Sequence, residues 1–597
     1  MNLTDSNQKR YSLAIIGGGP RGLSALESIL DQYSKNDTSI PLNILLFESR
    51  TYLGAGFVYD LEQPDTNWLN ISNRGLTIPS RNEIHLRGLT IPAFKSYQDW
   101  ASYDKKSDAG KTPDKFVPRS TLGKYLNERY DTIAKVLKQC DWFHVIGESV
   151  KQVDWEQDAF NIGTDGGAIY HSNEVVLTIG HQPTEHSEQI LKWSEFDDQN
   201  DSVHLITQPY PISSILSSKV LQQDTNVAIR GFGLAMIDVM RALTIKMGGR
   251  FETLDESTQQ LRYIKSGNEP KLMVPFSLDG LPMAPKLVNL DIDKRFMPTK
   301  AEKEDFENHL EAIAQSGATK DITFVVNAIV PIIIRLYNDL GSRAYNHNLD
   351  DDTLGNVISS WLLDEEFEHD LIVPKGQPAE NTLRAFVGMA TDESSVSLDF
   401  CIGHVWRHSQ PTMYKALSFS KLPDEVISEI VQLDERLKRY SYGPPVASLQ
   451  QLIALLEAGL ISLDYVNNPN VVTTSKGWRL EKNEKSIQAK LMINSVLDAP
   501  KLLKINSPVV RHLLSQSIVH PVHSELGIET YKDGRVVVED HNEVVPLAVL
   551  GRIAKGTLIG VDAILECFNE RSELWAKGVL KRLSSQQSKE KNSMLSS

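Results

Sequence analysis

Along the chain, short continuous apolar runs give way to apolar residues at helical spacing. Tyr11–Ile16 reads YSLAII, the pattern of a strand buried on both faces, and GGGPRG follows at once. Leu23, Leu26 and Leu30 in LSALESIL then recur as one face of a helix. After a polar gap at 31–41 a second apolar run, LNILLFE, ends at Glu48. An irregular segment extends to about residue 119 and contains a Lys/Asp/Gly-rich patch at 101–115 that reads as a surface loop. A helix is predicted over 122–137, short strands and a GTDGG turn over 144–170, and a strand, EVVLTIG, closing at Gly180.

The strand–glycine–helix pattern returns at Asn226 as NVAIRGFG followed by LAMIDVMRAL. Polar sequence rich in proline and glycine fills 252–300, and amphipathic helices are predicted at 301–315 and 424–438. SLQQLIALLEAG, at 448–459, reads as a helix closed by Gly459. The last apolar unit is VVPLAVLGRIAKGTLIGVDAILECF, after which 583–597 reads as a disordered tail.

Composition narrows the function classes. A chain of 597 residues suits roughly two to four domains. The net charge of −15 argues against nucleic acid or an anionic membrane as partner, since both need a basic face. Cys140, Cys401 and Cys567 lie too far apart for a disulfide framework, which favours a reducing compartment and a cytoplasmic protein. The start, MNLTDSNQKR, has no apolar core of a signal peptide. The greasiest stretch, FVVNAIVPIII at 324–334, is too short to span a bilayer and contains Pro331.

Gly17-x-Gly19-x-x-Gly22 sits between a strand and a helix, the context that gives this motif its meaning. The first glycine permits the turn, the second lets backbone approach a pyrophosphate, and the third lets helix and strand pack closely. The helix start favours the phosphates, and Glu48 is placed to accept from ribose hydroxyls. Gly231-x-Gly233 opens a second such unit, although Met236 takes the third glycine position, so a unit without a ligand remains an alternative. Two units in one chain imply two dinucleotides and hydride transfer from a nicotinamide to a flavin. Cys401, His404 and His408 have spacing that could touch zinc, but no fourth ligand is evident and no metal site is assigned. No C-x-x-C pair or G-x-S-x-G elbow occurs.

IIGGGPRGLSALE, LGAGFVYD, NWLNIS, FVPRSTLGKYL, EVVLTIGHQP and VAIRGFGLAMIDV occur in this order. In them the chain resembles a bacterial group of FAD/NAD(P)-binding proteins, itself similar to the N-hydroxylating flavin monooxygenases of ornithine, lysine or aspartate. The resemblance covers 11–250 and continues more thinly to about 580. It implies that Gly17, Gly19, Pro20, Gly22 and Glu48 hold the ADP half of FAD, with Gly180 ending the closing strand of that domain. It places Asn70 and Arg119 near the flavin, Val150 by the adenine, and Gly231 and Gly233 at NADPH or NADH. Where relatives often read SGREP, this chain reads SGNEP at 266–270 and lacks an arginine that could pair with a 2′-phosphate; Lys265 or Lys271 could substitute as a point charge, the alternative being that both are solvated surface.

The expected fold is α/β, with an FAD domain (1–205) carrying an inserted NAD(P) Rossmann-like domain (206–385). A mostly helical cover follows at 386–520, with a C-terminal return to the FAD domain at 521–582. The expected function is an FAD-dependent NAD(P)H oxidoreductase, foremost a monooxygenase using O2 and a flavin hydroperoxide to hydroxylate a small amine or amino acid nitrogen. The alternatives are a flavin reductase or dehydrogenase, and a non-catalytic FAD-binding scaffold or sensor.

Overall fold

A computed structural model describes residues 10–36, 40–104, 110–346, 348–538 and 544–595, with side chains described through 585. The central part of the expected surface loop, 105–109, lies outside the described residues.

Strand β1 (Tyr11–Ile16) is the middle of a five-stranded sheet. It pairs in parallel with β2 (Leu42–Phe47) on one side and Glu174–Leu177 on the other. Phe143–Ile146 and Leu547–Val549 form the two edges, both in parallel register. Each strand needs cover on both faces, which is why its sequence is continuously apolar. Leu13 and Ile15 pack with Leu23, Leu26 and Ile29 of helix α1 (Pro20–Ser34) and with Trp575 and Val579. Ala14 and Ile16 point the other way, toward Val153, Phe160 and Ile162 of an antiparallel meander spanning 150–172.

The second sheet is also parallel: His204–Ile206, Leu491–Asn494, β3 (Asn226–Arg230) and β4 (Leu272–Phe276) lie side by side. Helix α2 (Leu234–Ala242) follows β3, and a polar hairpin pairs Arg250–Asp255 with Gln260–Ile264. From Lys300 to Glu457 the chain is mostly helical and includes α3 (Leu398–Leu417) and α4 (Asp424–Ser441). These helices and one face of the second sheet share a single core.

Two boundaries differ from the sequence reading. The border expected at 385 falls inside the helix Ala379–Ala390, and Leu491–Asn494, within the expected helical cover, is a central strand of the second sheet. The helical region is therefore an insertion between two strands of one sheet. At the C-terminus, residues 583–595 are helical, because the helix Arg571–Leu595 continues through them. Trp575, Val579 and Leu583 are fully buried, and each such side chain contributes roughly 1.5–3 kcal/mol. That anchorage fixes the first turns and lets the helix propagate beyond them. Among the described residues no helix is long and apolar enough to cross a membrane; the run 324–334 lies in the helix Thr323–Asp339.

Candidate functional site

The first glycine turn is built from close approaches. Gly17 has φ 108°, donates its N–H to the Phe47 carbonyl at 2.9 Å, and a Cβ there would lie 2.7 Å from the Thr178 carbonyl oxygen. A Cβ on Gly22 would lie 2.0 Å from the Gly17 oxygen, so α1 can seat against β1 only with glycine there. Pro20, without an N–H to satisfy, starts the helix. An added Cβ on Gly19 would just touch Gly56, whose Cα would be 3.4 Å and N 3.9 Å away. Glu48 accepts from the Gly18 N–H at 2.9 Å and the Arg50 N–H at 3.0 Å, which holds its carboxylate at the lip of the turn. Gly17, Gly19, Pro20, Gly22 and Glu48 thus meet in one cradle. Gly180, with φ 64°, is exposed just beyond Thr178, and Val150 is buried in the core under the sheet.

The second turn repeats the first. Gly231 donates to the Phe276 carbonyl at 2.7 Å with φ 116°, and a Cβ would lie 2.5 Å from Ser495 Oγ. Gly233 caps α2, and its nearest neighbour to an added Cβ is Met283 Sδ at 3.8 Å, which leaves room for a ligand. Met236 is buried in the core and substitutes for the third glycine.

The segment 266–270 lies elsewhere. Lys271 N donates to Thr225 O at 2.9 Å, and Asn226 pairs with Leu272, so this segment borders the amino ends of β3 and β4. Glu269 holds it by accepting from Tyr263 at 2.7 Å, Ser266 N at 2.7 Å and Gly267 N at 2.8 Å. Dinucleotides bind at carboxyl ends, about 16 Å away along a five-residue strand. Lys265 and Lys271 therefore lie at the end of the strands opposite to Gly231, in keeping with the surface alternative.

A cavity of 1230 Å³ opens between the first sheet's loops, the C-terminal segment 560–574 and the inserted helices. Asn70 lies on its wall and donates to the Tyr442 carbonyl at 3.1 Å. Asp293 is its charge centre: Arg407 pairs with it, His408 Nε2 donates at 2.9 Å, and Arg74 Nη1 lies at 3.2 Å. Arg74 also grips Asp114 at 2.6 Å. Burial raises the Asp293 pKa, but Arg407, His408 and Arg74 outweigh it and hold the carboxyl far below its ordinary range. Burial and Arg407 push His408 down to about 4, so it donates as a neutral imidazole. Lys286 donates to the Ser441 carbonyl; burial and Arg407 lower its pKa well below the usual lysine value.

Arg119 has a different neighbourhood. Its guanidinium bridges the two units, 2.7 Å from Asp238 of α2 and 3.0 Å from the Tyr210 hydroxyl. Arg241 lies 3.7 Å from Asp238 and 4.0 Å over the Trp68 ring.

Residues 14–182 match the FAD-NAD(P)-binding family. The chain is also 25% identical to nitrosuccinic acid synthase npaA of Aspergillus oryzae, over 88% of this chain and 84% of that protein. It is 24% identical to the L-aspartate N-monooxygenase (nitrosuccinate-forming) of Streptomyces davaonensis, over 44% of this chain and 43% of that one. Ornithine hydroxylase PvdA of Pseudomonas aeruginosa superposes on 96% of this chain and all of its own, with TM-score 0.45 and 11% identity. In sequence the chain is thus distantly similar to a nitrosuccinic acid synthase and to an L-aspartate N-monooxygenase.

The chemistry of the first glycine cradle suits an anionic ligand. Arg21, in the first turn of α1, donates from Nη1 to the Glu566 carbonyl. Its Nε and Nη2 are buried without a partner among the described residues. Two such donors call for an anion. Sequence reasoning passed over Arg21 although it stands inside GGGPRG. It also missed Arg74, Lys286 and Asp293. Trp406 is buried, and Arg407 beside it is an ion-paired wall of the cavity. Cys401 and His404 are wholly buried in α3, with His404 between Phe296 and Phe400, while His408 is turned to Asp293.

Proposed function

We propose that this protein is an FAD-dependent, NAD(P)H-consuming monooxygenase that hydroxylates the amino nitrogen of a small acidic amino acid. Gly17, Gly19, Pro20, Gly22, Glu48 and Arg21 would hold FAD, and Gly231 and Gly233 the nicotinamide dinucleotide. FAD reduced by that donor supplies the activated oxygen when bound. The chain's own task is to hold the substrate amine toward it and to keep water out of the cavity.

The observation that carries the acidic substrate is a pair of cationic groups on the cavity wall with donors to spare. Among the described residues Lys286 has no carboxylate partner, only the Ser441 carbonyl and the Tyr442 ring 6.0 Å away, and Arg407 Nε is buried without a partner. An unpaired buried cation is costly, and a substrate carboxylate relieves that cost. It would also raise the lowered Lys286 pKa and restore the charge that binds it. The names of the two relatives, a nitrosuccinic acid synthase and an L-aspartate N-monooxygenase, suggest aspartate as the first substrate to try.

The test is anaerobic bleaching of the flavin by NADH or NADPH, followed by aerobic turnover with L-aspartate and other amino acids. The expected result is donor consumption stimulated by the acidic amino acid, with an N-oxygenated product. Lys286→Met should raise KM for that substrate about tenfold or more while flavin reduction is unchanged. Stoichiometric peroxide with every amino acid would sink the hydroxylation; a flavin that neither donor bleaches would sink the oxidoreductase.

A further inference from the structure

We infer that the Glu566 carboxylate is the base that takes a proton from the substrate ammonium, so that the nitrogen presents a lone pair for hydroxylation. This rests on the reading of the large cavity as the site of an N-hydroxylating monooxygenase.

An amino nitrogen is protonated at neutral pH and has no lone pair to share. Hydroxylation there needs a neighbouring group that accepts one proton. Most acidic and basic groups of the cavity are engaged. Asp293 is held by Arg407, His408 and Arg74, and Asp114 by Arg74. Glu311 stands beside Lys415, whose side chain is 65% exposed, and Glu570 is exposed, so both belong to the rim.

Glu566 is placed differently, in the short helical turn Ile564–Phe568 on the cavity wall. Its Oε2 accepts from the Ala563 N–H at 3.0 Å, which fixes the carboxylate. Its Oε1 has no partner among the described residues and is open to the cavity. Tyr442 neighbours both this carboxylate and Lys286, whose Nζ lies 6.0 Å from the centre of its ring. A small amino acid bound beside Tyr442 can turn its carboxylate to Lys286 and Arg407 and its ammonium to Glu566. The reverse orientation would set like charges together.

Burial raises the Glu566 pKa and Asp562 adds to the rise, while the Ala563 N–H, Arg571 and Arg21 oppose it without cancelling it. Neither arginine forms an ion pair with the carboxylate among the described residues. Arg21 Nη1 donates to the Glu566 carbonyl, and Arg571 Nη1 to the Gly560 carbonyl at 3.1 Å. Tyr59, Tyr414, Tyr442 and Cys567 also face Glu566, and burial pushes all four up, so they stay protonated. A raised carboxyl pKa narrows the gap to the ammonium and makes the transfer effective near neutral pH. The proton passes from nitrogen to Oε1, and the electron pair of the broken N–H bond stays on nitrogen. The carboxyl then returns its proton to water at the cavity mouth.

The test follows N-oxygenated product from L-aspartate against pH in the FAD-loaded full chain. Wild type should rise about tenfold per pH unit up to the Glu566 pKa and then level off. Glu566→Gln keeps an acceptor for the Ala563 N–H but cannot take the proton. It should form product about a hundredfold or more slowly at pH 7 and lose the plateau. The loss should be much smaller with L-N-hydroxyaspartate, whose nitrogen is already unprotonated at pH 7. A wild-type rate and pH profile in Glu566→Gln, or equal losses on both substrates, would overturn the inference and leave the hydroxylation standing. Loss of bound flavin in the variant would overturn it as well, by making the carboxylate a support of the cofactor site. If wild type yields no N-oxygenated product from any amino acid, the inference falls together with the proposed function.

Discussion

Asp293 shows at the scale of one residue how the cavity is held open yet ordered. Its carboxylate is almost wholly buried and stays ionised because Arg407, His408 and Arg74 surround it. A carboxyl with a lowered folded-state pKa stabilises the fold above its unfolded pKa, near 4. That contribution is lost as pH falls from there toward the folded value. Asp293→Asn should cost about 3–5 kcal/mol at pH 7, since it leaves buried cations unpaired. The gap between wild type and variant in urea unfolding should narrow from pH 7 to pH 3; a gap that stays constant would show that the charge of Asp293 is not what matters. None of this was legible in the sequence. Arg407 and Asp293 are 114 positions apart, and an isolated RH pair after a tryptophan carries no sign of its partner. Lys286 was equally invisible, because its meaning lies in lacking a carboxylate.

At the scale of elements, what was local was readable. The run YSLAII, the glycine turn and the helix after it follow one another within 24 residues of chain, and each dictates its own conformation. The helices expected at 301–315 and 424–438 form as Lys300–Ser316 and Asp424–Ser441, started in the first case by the capping box of Thr299 and Glu302. What depends on distant pairing was not readable: LMIN at 491–494 has no helical or strand context of its own, and joins the second sheet only because β3 and His204–Ile206 flank it. The cradle itself makes a sharp prediction. Gly22→Ala, whose methyl would meet the Gly17 carbonyl, should lose FAD on gel filtration and push α1 off β1. Gly147→Ala, where an added Cβ meets nothing within 4 Å, is the matched control and should keep the cofactor. Equal retention in both would remove the close seating of α1 from the binding of FAD.

Across the whole molecule, two sheets are joined by a buried ion cluster rather than by a plain apolar seam. Arg119 from the first unit and Arg241 from the second share Asp238, and Arg241 reaches on to Gln451 at 2.8 Å and Ser448 at 2.6 Å in the inserted helices. Such a cluster fixes relative orientation, because a small slide leaves charges buried without partners. Asp238→Asn should therefore slow flavin reduction by the nicotinamide donor while the bound-flavin spectrum stays normal, and should split urea unfolding into two steps. A single transition with an unchanged reduction rate would make the cluster incidental. The first sheet carries a further consequence through its outermost strand. Leu547–Val549 lies beside Glu174–Leu177, which in turn leads to the Thr178 carbonyl that walls the Gly17 turn. During synthesis on the ribosome, more than three hundred and sixty residues must emerge between these two neighbours. Until then Glu174–Leu177 is a bare, sticky margin, and on the proposed function flavin is expected to load only late in translation.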